Sequence, residues 1–596
     1  MSFPFRVGTS CIAFVLIAGS IACAADTSKA DSTSTAGSDA DIGLVHRRVK
    51  SDLNAAVMRL AGAEDWKSYL QIDELHSALE SPLDSNLESI FQAIEFTRKR
   101  LIGLHPGLEV QELMDLRNSL NTLSKTLEVE LRGTEFRDSL SESRDRLLEL
   151  TNRDREINSA TYRQLAADAA WLEQYGQAPE LVSRLKSEFN NPNVILSISS
   201  HALELITERD VYENEPIDKT QDGRKITGQA IATGRAFLQP VFGNGAGLGQ
   251  VVFQGNIEST LNTGQGPASV KLVGNTSLTA VRPVHFSAAS FDLDETIPSS
   301  CTSLRTAAIC TKRNGVGSRL IKRIANRVVE KERPEATSDL NMEVVETFTQ
   351  QFDEEISAEI RTAETDFQKE VFAPLQRLDL NPSNIQFVSS DSDLKIAYRL
   401  DGGYGLAAPT PPRYVPSDSI GVLVHESAIN RIADRLLAGE SFDELAKVLD
   451  EFGIKLPEEE LDKLPTDLGV DFAERQPITA KFENNMLEIT ISGDRFRVGK
   501  ALLVAMNAVI RYEVVQANGE TKLVLAGEPE VLPPKNGKSG RFILQRNILK
   551  RRLSKELPAE YVVEPFKLPE PGDRLGELQI QNFKTDDGWL QLSFSP

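Results

Sequence analysis

The chain is 596 residues long, and its 87 acidic side chains outnumber its 66 basic ones, which gives a formal net charge of −21. So acidic a chain excludes binding to nucleic acid through a general positive field. At roughly 100 to 200 residues per domain, the length predicts three or four domains, each large enough to bury a core.

The N-terminal stretch has the three parts of a secretory signal peptide. Arg6 supplies positive charge, an apolar run extends from Cys11 to Ala22, and Ala22-Cys23-Ala24 matches the small-x-small cleavage pattern. The apolar run is shorter than the roughly 20 residues that span a bilayer as a helix. We predict a cleaved signal peptide over residues 1–24 and an extracytoplasmic mature protein, either periplasmic or secreted.

A lipoprotein is the alternative interpretation of the same stretch. Ile21 and Ala22 precede Cys23 as a lipidation signal requires, and the mature protein would then be tethered through Cys23. Residues 25–41 follow as a small, polar segment with almost no apolar side chains. We predict a disordered linker there, because such a segment buries too little surface to offset its ordering entropy.

Residues 42–215 have the pattern of a helical domain. Long runs low in Gly and rich in Leu, Glu, Arg and Ala show apolar residues at helical spacing, as in Phe136 to Leu150 and Ala160 to Tyr175. His105-Pro106-Gly107 and Asn190-Asn191-Pro192 interrupt the pattern and end individual helices. The segment predicts a bundle of about six helices.

Residues 224–380 predict a β-meander followed by an αα-hairpin. The composition turns to Gly, Val, Thr and Ser with alternating apolar residues, and glycine-containing turns at 243–249 and 264–267 separate the strands. Two helices are predicted after the strands, from Ser318 to about Lys331 and from Met342 to about Phe372.

The second of these helices carries a long apolar stripe with spacings of three and four residues. The stripe consists of Val345, Phe348, Phe352, Ile356, Ala363, Phe367 and Val371. We expect it to pack on the neighbouring sheet of the same chain; a coiled coil is the alternative.

Cleavage after Ala24 leaves two cysteines in the mature chain, Cys301 and Cys310. Two cysteines nine residues apart in an exported protein predict a disulfide, with two free thiols as the alternative. Closing a ten-residue loop contributes roughly 2.5 to 3 kcal/mol in the chain-entropy model. The bond would therefore fix one loop without stabilising the whole fold.

Residues 383–596 predict a mixed, β-rich domain. Its hairpin turns are Asn484-Asn485, Asn518-Gly519 and Asp587-Gly588. Its predicted helices are Ser427 to Leu437, Phe442 to Phe452 and Phe542 to Leu557. The fold class that follows is α+β multidomain, with an N-terminal helical bundle followed by antiparallel β-rich domains with long packed helices.

Partial matches to metal and phosphate motifs lack a residue that the chemistry needs. His425-Glu426 begins like the zinc motif HExxH, but Ile429 stands where the second histidine would bind the metal. The loop ending in Gly537-Lys538-Ser539 has Leu532 in place of the first P-loop glycine. We therefore predict no metal and no cofactor.

Nucleophilic catalysis also lacks its motif. Gly315-Val316-Gly317-Ser318 has no trailing glycine to complete a nucleophile elbow, and the glycines of 243–249 alternate rather than forming a dinucleotide loop. We name no catalytic residue and lean against an enzyme. A hydrolase without a recognisable motif is the remote alternative, since the sequence does not reveal which acids converge in a cleft.

The helix near the C-terminus departs from the acidic background. Arg546, Lys550, Arg551 and Arg552 cluster in it beside apolar Leu549. A basic amphipathic helix binds anionic membrane or polymer surfaces. The alternative is a helix that packs its apolar side on a sheet and leaves its charges in solvent.

Several short segments resemble a group of uncharacterised secreted proteins of Planctomycetes-type bacteria. The segments are 66–70, 170–185, 191–194 and the glycine-containing strands at Gly255 and Gly266-Pro267. The resemblance implies an envelope or extracellular location and transfers no functional residue.

The C-terminal third is similar in the order of its elements to the tubular lipid-binding (TULIP, BPI-like) fold. The similarity rests on the strand Ile420 to Val424, the helix Ser427 to Leu437, the hairpin Ile478 to Ile491 and the strand Leu503 to Val515. It implies a bent sheet around a long helix, for which 342–372 is the candidate, with lipid held between them.

Two functions follow from these patterns. The first is an exported, non-enzymatic structural or interaction protein of the cell envelope, with envelope proteins or lipid as partners and an undetermined oligomeric state. The second is a lipid or amphiphile carrier, for which we expect a continuous apolar groove along the strands of 478–526.

Overall fold

The structure is a computed structural model of the chain. It describes residues 42–82, 86–103, 105–151, 158–189, 191–221, 224–265, 268–311, 316–380, 384–400, 405–412, 419–442, 468–517, 520–534, 540–568 and 572–596. The predicted signal peptide, the linker over 25–41, the Asn518-Gly519 turn, the loop at 537–539 and nearly all of the predicted helix at 442–452 lie outside these ranges.

Seven helices form the N-terminal part of the described chain. They are α1 Ile42–Arg59, α2 Glu64–Leu70, α3 Ile72–Glu80, α4 Leu87–Arg100, α5 Gln111–Thr151, α6 Ser159–Gln174 and α7 Pro179–Glu188. The buried side chains of α5 include Leu113, Leu116 and Leu120, which follow helical spacing. A non-helical Gly133, with φ of 67°, bends α5. The predicted helical bundle is confirmed.

The chain leaves the bundle earlier than the sequence indicated. Val194–Ser199 forms a strand, β1, and Ser200–Thr207 forms helix α8. β1 pairs in antiparallel with residues 393–399 on one side and 420–425 on the other. The first strand therefore lies in the middle of a sheet whose other strands come from the C-terminal part of the chain.

The central region is a long antiparallel meander followed by one long helix. Its elements are β2 Arg209–Gln221, β3 Arg224–Val241, β4 Gly247–Gln265, β5 Ala268–Phe286, β6 Phe291–Leu293, β7 Ile297–Thr311 and α9 Val316–Phe367. The sheet has the order β2-β3-β4-β5-β6, with β7 also paired to β5. The predicted meander is confirmed.

The predicted pair of helices is wrong, because α9 is continuous through Pro334. A proline inside a helix removes one backbone hydrogen bond, but α9 packs along β5, β6 and β7, and this contact supports it as one element. A single π-helical turn, Gln368–Phe372, and the short helix α10, Ala373–Arg377, follow.

The apolar stripe of α9 faces the sheet of its own chain, as predicted. The ring of Phe253 on β4 lies 4.7 Å from that of Phe348, and the ring of Phe291 lies 5.8 Å from that of Phe367. Phe352 is 1% exposed. Edge-on and tilted aromatic pairs of this kind add about 0.5 to 1.5 kcal/mol each to the apolar burial.

The predicted disulfide is wrong. Cys301 and Cys310 are free and exposed, and both lie on the single strand β7. An extended strand rises about 3.3 Å per residue, so nine residues separate the two cysteines by roughly 30 Å. A disulfide requires Cα atoms within about 7 Å of each other.

The C-terminal region supplies two further antiparallel sheets and two helices. Its elements are β8 Asn384–Ser389, β9 Asp393–Arg399, β10 Ile420–His425, α11 Glu426–Leu437, β11 Ser441–Phe442, β12 Leu468–Phe472, β13 Ile478–Glu483, β14 Met486–Val498, β15 Ala501–Leu503, β16 Met506–Ala517, β17 Glu520–Leu525, β18 Glu530–Leu532, α12 Gly540–Glu556, β19 Glu560–Val563, β20 Phe566–Lys567, β21 Glu577–Asp586 and β22 Trp589–Ser595.

The strands of this region divide between the two sheets. A seven-stranded sheet has the order β20-β21-β22-β10-β1-β9-β8. A nine-stranded sheet has the order β11-β12-β14-β16-β17-β19, with β13 and β15 paired to β14 and β18 paired to β16. The ladders between described strands are antiparallel, so the α+β multidomain class predicted from the sequence is confirmed.

Turn chemistry fixed two of the predicted hairpins. Asn484 and Asn485 have φ of 52° and 59°, and Asp587 and Gly588 have φ of 50° and 81°. Two successive residues at positive φ are typical of the tight turn that matches the twist of paired strands. Both turns lie where these residue types predicted them, and the second strand of the first hairpin continues beyond Ile491 to Val498.

The long helix does not lie where the TULIP resemblance placed it. It was expected against the strands of the C-terminal third, whereas α9 packs on β5, β6 and β7. The nine-stranded sheet carries α12 instead, through the buried side chains Phe542, Leu549 and Leu553.

Candidate functional site

A cleft of about 1520 Å³ lies between the helical bundle and the nine-stranded sheet. Helices α4, α5 and α6 form one wall, and α11, β13 and β14 form the other. Pockets for small ligands usually have roughly 300 to 1,000 Å³. The cleft therefore has room for a ligand larger than a typical metabolite.

The lining of the cleft carries an excess of positive charge. Ten arginine and lysine side chains line it, against six aspartate and glutamate side chains. The chain as a whole has the opposite balance, with a net charge of −21. A local positive field in an acidic protein favours an anionic ligand at this place.

Four cations form a group that we call the basic cluster: Arg98, Lys125 and Arg435, which line the cleft, and Arg117, which is fully buried and does not line it. The four cations come from α4, α5 and α11, and three carboxylates balance them. Arg98 binds Glu95 at 2.6 Å, Lys125 lies 3.5 Å from Glu128, and Arg117 lies 3.0 Å from Asp379, which Arg435 also contacts. Among the described residues, Glu128 also pairs with Arg132, at 3.0 Å, and Asp379 contacts two guanidinium groups.

Burial and neighbouring positive charges lower the pKa values of two members of the basic cluster. Burial, followed by the charges of Arg98 and Arg435, lowers the pKa of Lys125 to about 8, although Glu128 and Glu95 act in the opposite direction. Burial, with Arg98 and Arg117, lowers the pKa of Arg435 to about 9. The folded protein disfavours these charges, and a bound anion would relieve that cost.

Glu95 is held as an anion within the cleft. Burial opposes ionisation, but Arg98, the Ser124 hydroxyl and Lys125 outweigh it and lower the pKa of Glu95 to about 2. Arg98 donates two hydrogen bonds to the Glu95 carboxylate, at 2.8 and 2.6 Å. This bidentate pair fixes the Arg98 guanidinium in one orientation.

Aromatic rings hold other cations of the cleft. The Arg100 guanidinium lies 4.0 Å from the centre of the Phe96 ring and 5.2 Å from that of Tyr69, and Arg475 lies 5.1 Å from that of Trp171. Cation–π contacts leave the polar edge of a guanidinium available to further partners. Arg100 forms no ion pair with a carboxylate among the described residues.

Apolar side chains form another part of the lining. Phe91, Ile102, Ala170, Leu406 and Leu436 contribute to it. The cleft thus places apolar surface beside cations.

The strands that line the cleft differ from the apolar groove expected along 478–526. The residues that β14 and β16 contribute to the lining are Thr490, Ser492 and Asn507, all of them polar. The sheet therefore supplies hydrogen-bonding groups, and the apolar lining comes mainly from the helical wall.

His425 and Glu426 have structural roles at the start of α11. The His425 ring is 1% exposed and accepts a hydrogen bond from the backbone N–H of Ser427, which caps the helix. Arg163 binds the Glu426 carboxylate through two hydrogen bonds of 2.5 and 3.0 Å. Burial lowers the pKa of His425 to about 3, with Arg163 acting in the same direction, so the ring is neutral.

The same residues do not form a catalytic set. His425 Nδ1 lies 2.9 Å from the Ser427 hydroxyl, which resembles a base beside a nucleophile. A catalytic histidine needs a third group that orients its second nitrogen. Among the described residues no carboxylate bonds to His425 Nε2, whose neighbour is the backbone of Gly588.

The described residues contain neither a candidate metal site nor a helix suited to cross a membrane. No group of three or more histidine, cysteine, aspartate or glutamate side chains within the described ranges could hold a metal ion. No helix in the same ranges combines the length and the apolar character that a bilayer span needs.

The cations predicted on the last helix lie on α12, away from the cleft lining. Arg546 and Arg551 are exposed. Lys550 forms a 2.7 Å ion pair with Glu528, and Arg552 forms one of 2.7 Å with Glu556. The structure therefore separates the four predicted residues into two exposed cations and two paired ones.

Sequence reasoning missed the cleft. Its only local signal lies on α5, where Asn121, Lys125, Glu128 and Arg132 recur at spacings of four, three and four residues on one helix face. That pattern is typical of an ordinary solvated face. The facing residues Arg435 and Arg475 lie more than 300 positions away in the chain.

Comparisons with known proteins give a limited result. No known protein family and no curated protein sequence matches the chain. The crystal structure of a lipopolysaccharide binding protein is similar over 68% of this chain and 98% of its own, with 12% identity and a TM-score of 0.26. The structure of P47 from Clostridium botulinum A2 is similar over 69% and 98%, with 10% identity and a TM-score of 0.20.

Proposed function

We propose that this protein binds a large anionic amphiphile in the cleft between the helical bundle and the nine-stranded sheet. The observation that carries the proposal is the basic cluster, in which Lys125 and Arg435 are held buried and charged beside Arg98 and Arg117. This is the carrier function that the sequence offered as an alternative.

The charge balance supports an acidic head group. Burying several cations together costs free energy unless anions compensate them. In the basic cluster Asp379 serves both Arg117 and Arg435, so one carboxylate is shared between two guanidinium groups. A phosphate or carboxylate of the ligand would add a negative charge beside these cations and accept charge-assisted hydrogen bonds.

The apolar lining supports a ligand with a hydrocarbon part. Phe91, Ile102 and Leu436 lie in the same cleft as the basic cluster. A purely ionic ligand would leave this surface exposed to water, whereas an alkyl chain would gain about 25 cal/mol for each Å² that it covers. The cleft therefore offers cations to the head group and apolar side chains to the alkyl chain.

The test compares three probes with one alkyl chain: dodecyl phosphate, dodecylphosphocholine and dodecanol. We expect dodecyl phosphate to bind the full chain roughly 10 to 100 times more tightly than either of the others at pH 7, because a charge-assisted hydrogen bond contributes about 1.5 to 3 kcal/mol. Isothermal titration below the critical micelle concentrations measures this. Equal affinities for the three probes would overturn the proposal.

Export remains part of the proposal. The charge of Arg6, the run from Cys11 to Ala22 and the cleavage pattern ending at Ala24 support an extracytoplasmic carrier. N-terminal sequencing of the mature protein separates a chain that begins at Ala25 from one that begins at a lipidated Cys23. A mature chain that still begins at Met1 would contradict export by this signal.

A further inference from the structure

The outer face of α12 is unusual in an acidic chain. Three of its cations, Arg541, Arg551 and Lys555, are exposed, and no carboxylate among the described residues forms an ion pair with any of them. The nearby acids are already engaged, since Glu528 binds Lys550 and Glu556 binds Arg552.

Large apolar side chains share this outer face. Leu544 is 77% exposed, Ile543 is 55% exposed and Ile548 is 42% exposed. Arg541, Leu544, Ile548, Arg551 and Lys555 follow one another at spacings of three, four, three and four residues, so they form one stripe along the helix. Two apolar residues therefore lie between cations along the same line.

The inner face of α12 is fixed to the protein. Phe542, Leu549 and Leu553 are buried against the nine-stranded sheet, within the core that includes Phe496 and Met506. The helix is thus already formed and oriented before any partner binds. It differs in this respect from a free amphipathic peptide, which has to fold on the surface that it meets.

We propose that the outer face of α12 docks the protein on an anionic lipid surface. Exposed apolar side chains enter the boundary between head groups and acyl chains, while arginine and lysine side chains contact acidic head groups. Charge complementarity selects this partner, because no carboxylate of the described residues pairs with these exposed cations, in a chain whose net charge of −21 would otherwise repel an anionic membrane. This surface is separate from the cleft.

The experiment measures co-sedimentation of the full chain with vesicles of equal parts phosphatidylglycerol and phosphatidylcholine, compared with pure phosphatidylcholine. We expect binding to the anionic vesicles only, and weaker binding as salt rises. Each arginine or lysine near such a surface strengthens binding roughly fivefold. The double variant Arg541→Gln/Arg551→Gln should therefore bind about 30-fold more weakly, and Leu544→Ser should also lose affinity.

Matched controls carry the same changes elsewhere. Arg59→Gln/Arg144→Gln removes two exposed arginines of the helical bundle, and Met58→Ser removes a side chain that is 79% exposed on α1. These variants should bind as the unaltered protein does. Equal binding to neutral vesicles, absence of binding to anionic ones, or an equal loss in the controls would overturn the proposal.

The same variants separate this docking surface from the cleft. Arg541→Gln/Arg551→Gln should keep its affinity for dodecyl phosphate, since neither residue lines the cleft. Lys125→Met should lose that affinity and keep vesicle binding. These variants therefore show whether anion binding in the cleft or docking through α12 fails, independently of the other proposal.

Discussion

Replacing Asp379 by asparagine should lower the free energy of unfolding by about 3 to 5 kcal/mol, the usual cost of removing one partner from a buried ion pair. The Asp379 carboxylate contacts both Arg117, whose side chain is 0% exposed, and Arg435. Asparagine has the same shape and tolerates the positive φ of 54° at this position. The loss of charge is therefore the only large change.

Urea unfolding measures this effect, with fluorescence of Trp66 and Trp171 reporting on the helical bundle. The matched control is Asp145→Asn, because Asp145 is 66% exposed in its pair with Arg144. That exchange should change the free energy of unfolding by less than about 0.5 kcal/mol. An Asp379→Asn protein as stable as the control would show that the buried arginines do not depend on this carboxylate.

Lys125→Met should have two opposite effects, on binding and on stability. The affinity for dodecyl phosphate should fall roughly 10- to 100-fold, because one charge-assisted contact is lost. The folded protein should become about 1 to 3 kcal/mol more stable at pH 7, because methionine removes a charge that the fold disfavours. The carboxylates keep other partners: Arg98 binds Glu95 and Arg132 binds Glu128.

The stability gained by Lys125→Met should depend on pH and decrease as the pH rises. The pKa of Lys125 is about 8 in the folded protein, below its ordinary value. Between that pKa and the pKa of an unfolded lysine near 10.4, the unfolded chain binds more protons, so the stability of the unaltered protein rises with pH. The advantage of Lys125→Met should be complete at pH 7 and should disappear above about pH 10.5.

Thermal unfolding and titration calorimetry at several pH values test both effects together. Lys369→Met is the matched control, since Lys369 is exposed on the π-helical turn after α9 and pairs only locally with Glu370. It should change neither affinity nor stability. If Lys125→Met lowered stability and affinity together, Lys125 would be a structural residue and not part of a binding site.

Local patterns in the sequence predicted much of the fold. The three-four stripe from Phe348 to Phe367 specified a helix that packs on its own sheet, and Asn484-Asn485 specified a hairpin by its preference for positive φ. The prediction of two helices was wrong, because α9 packs along β7 and stays continuous through Pro334. Propensity is a weak prior where tertiary contacts are extensive.

Long-range pairing was not accessible to the same reasoning. β1 pairs with β9 and β10, about 200 residues further along the chain. The local sequence of Val194–Ser199 does not indicate which strands it will pair with. Cys301 and Cys310 were paired on spacing alone, and the extended geometry of β7 separates them.

The candidate site was missed for a related reason. Lys125 and Arg435 belong to helices far apart in sequence, and each helix taken alone resembles a charged, solvated element. Their charges come together only because α5 and α11 lie on facing walls of the same cleft.

Photo-crosslinking tests the central claim most directly. A diazirine-bearing alkyl phosphate is bound to the full chain without vesicles, irradiated, and its adducts are mapped by mass spectrometry. We predict adducts on both walls of the cleft, in peptides that cover residues 91–132 and 473–492, and their loss when dodecyl phosphate competes or when Lys125 is replaced by Met. Adducts confined to α12 or to the sheet around α9 would contradict binding in the cleft.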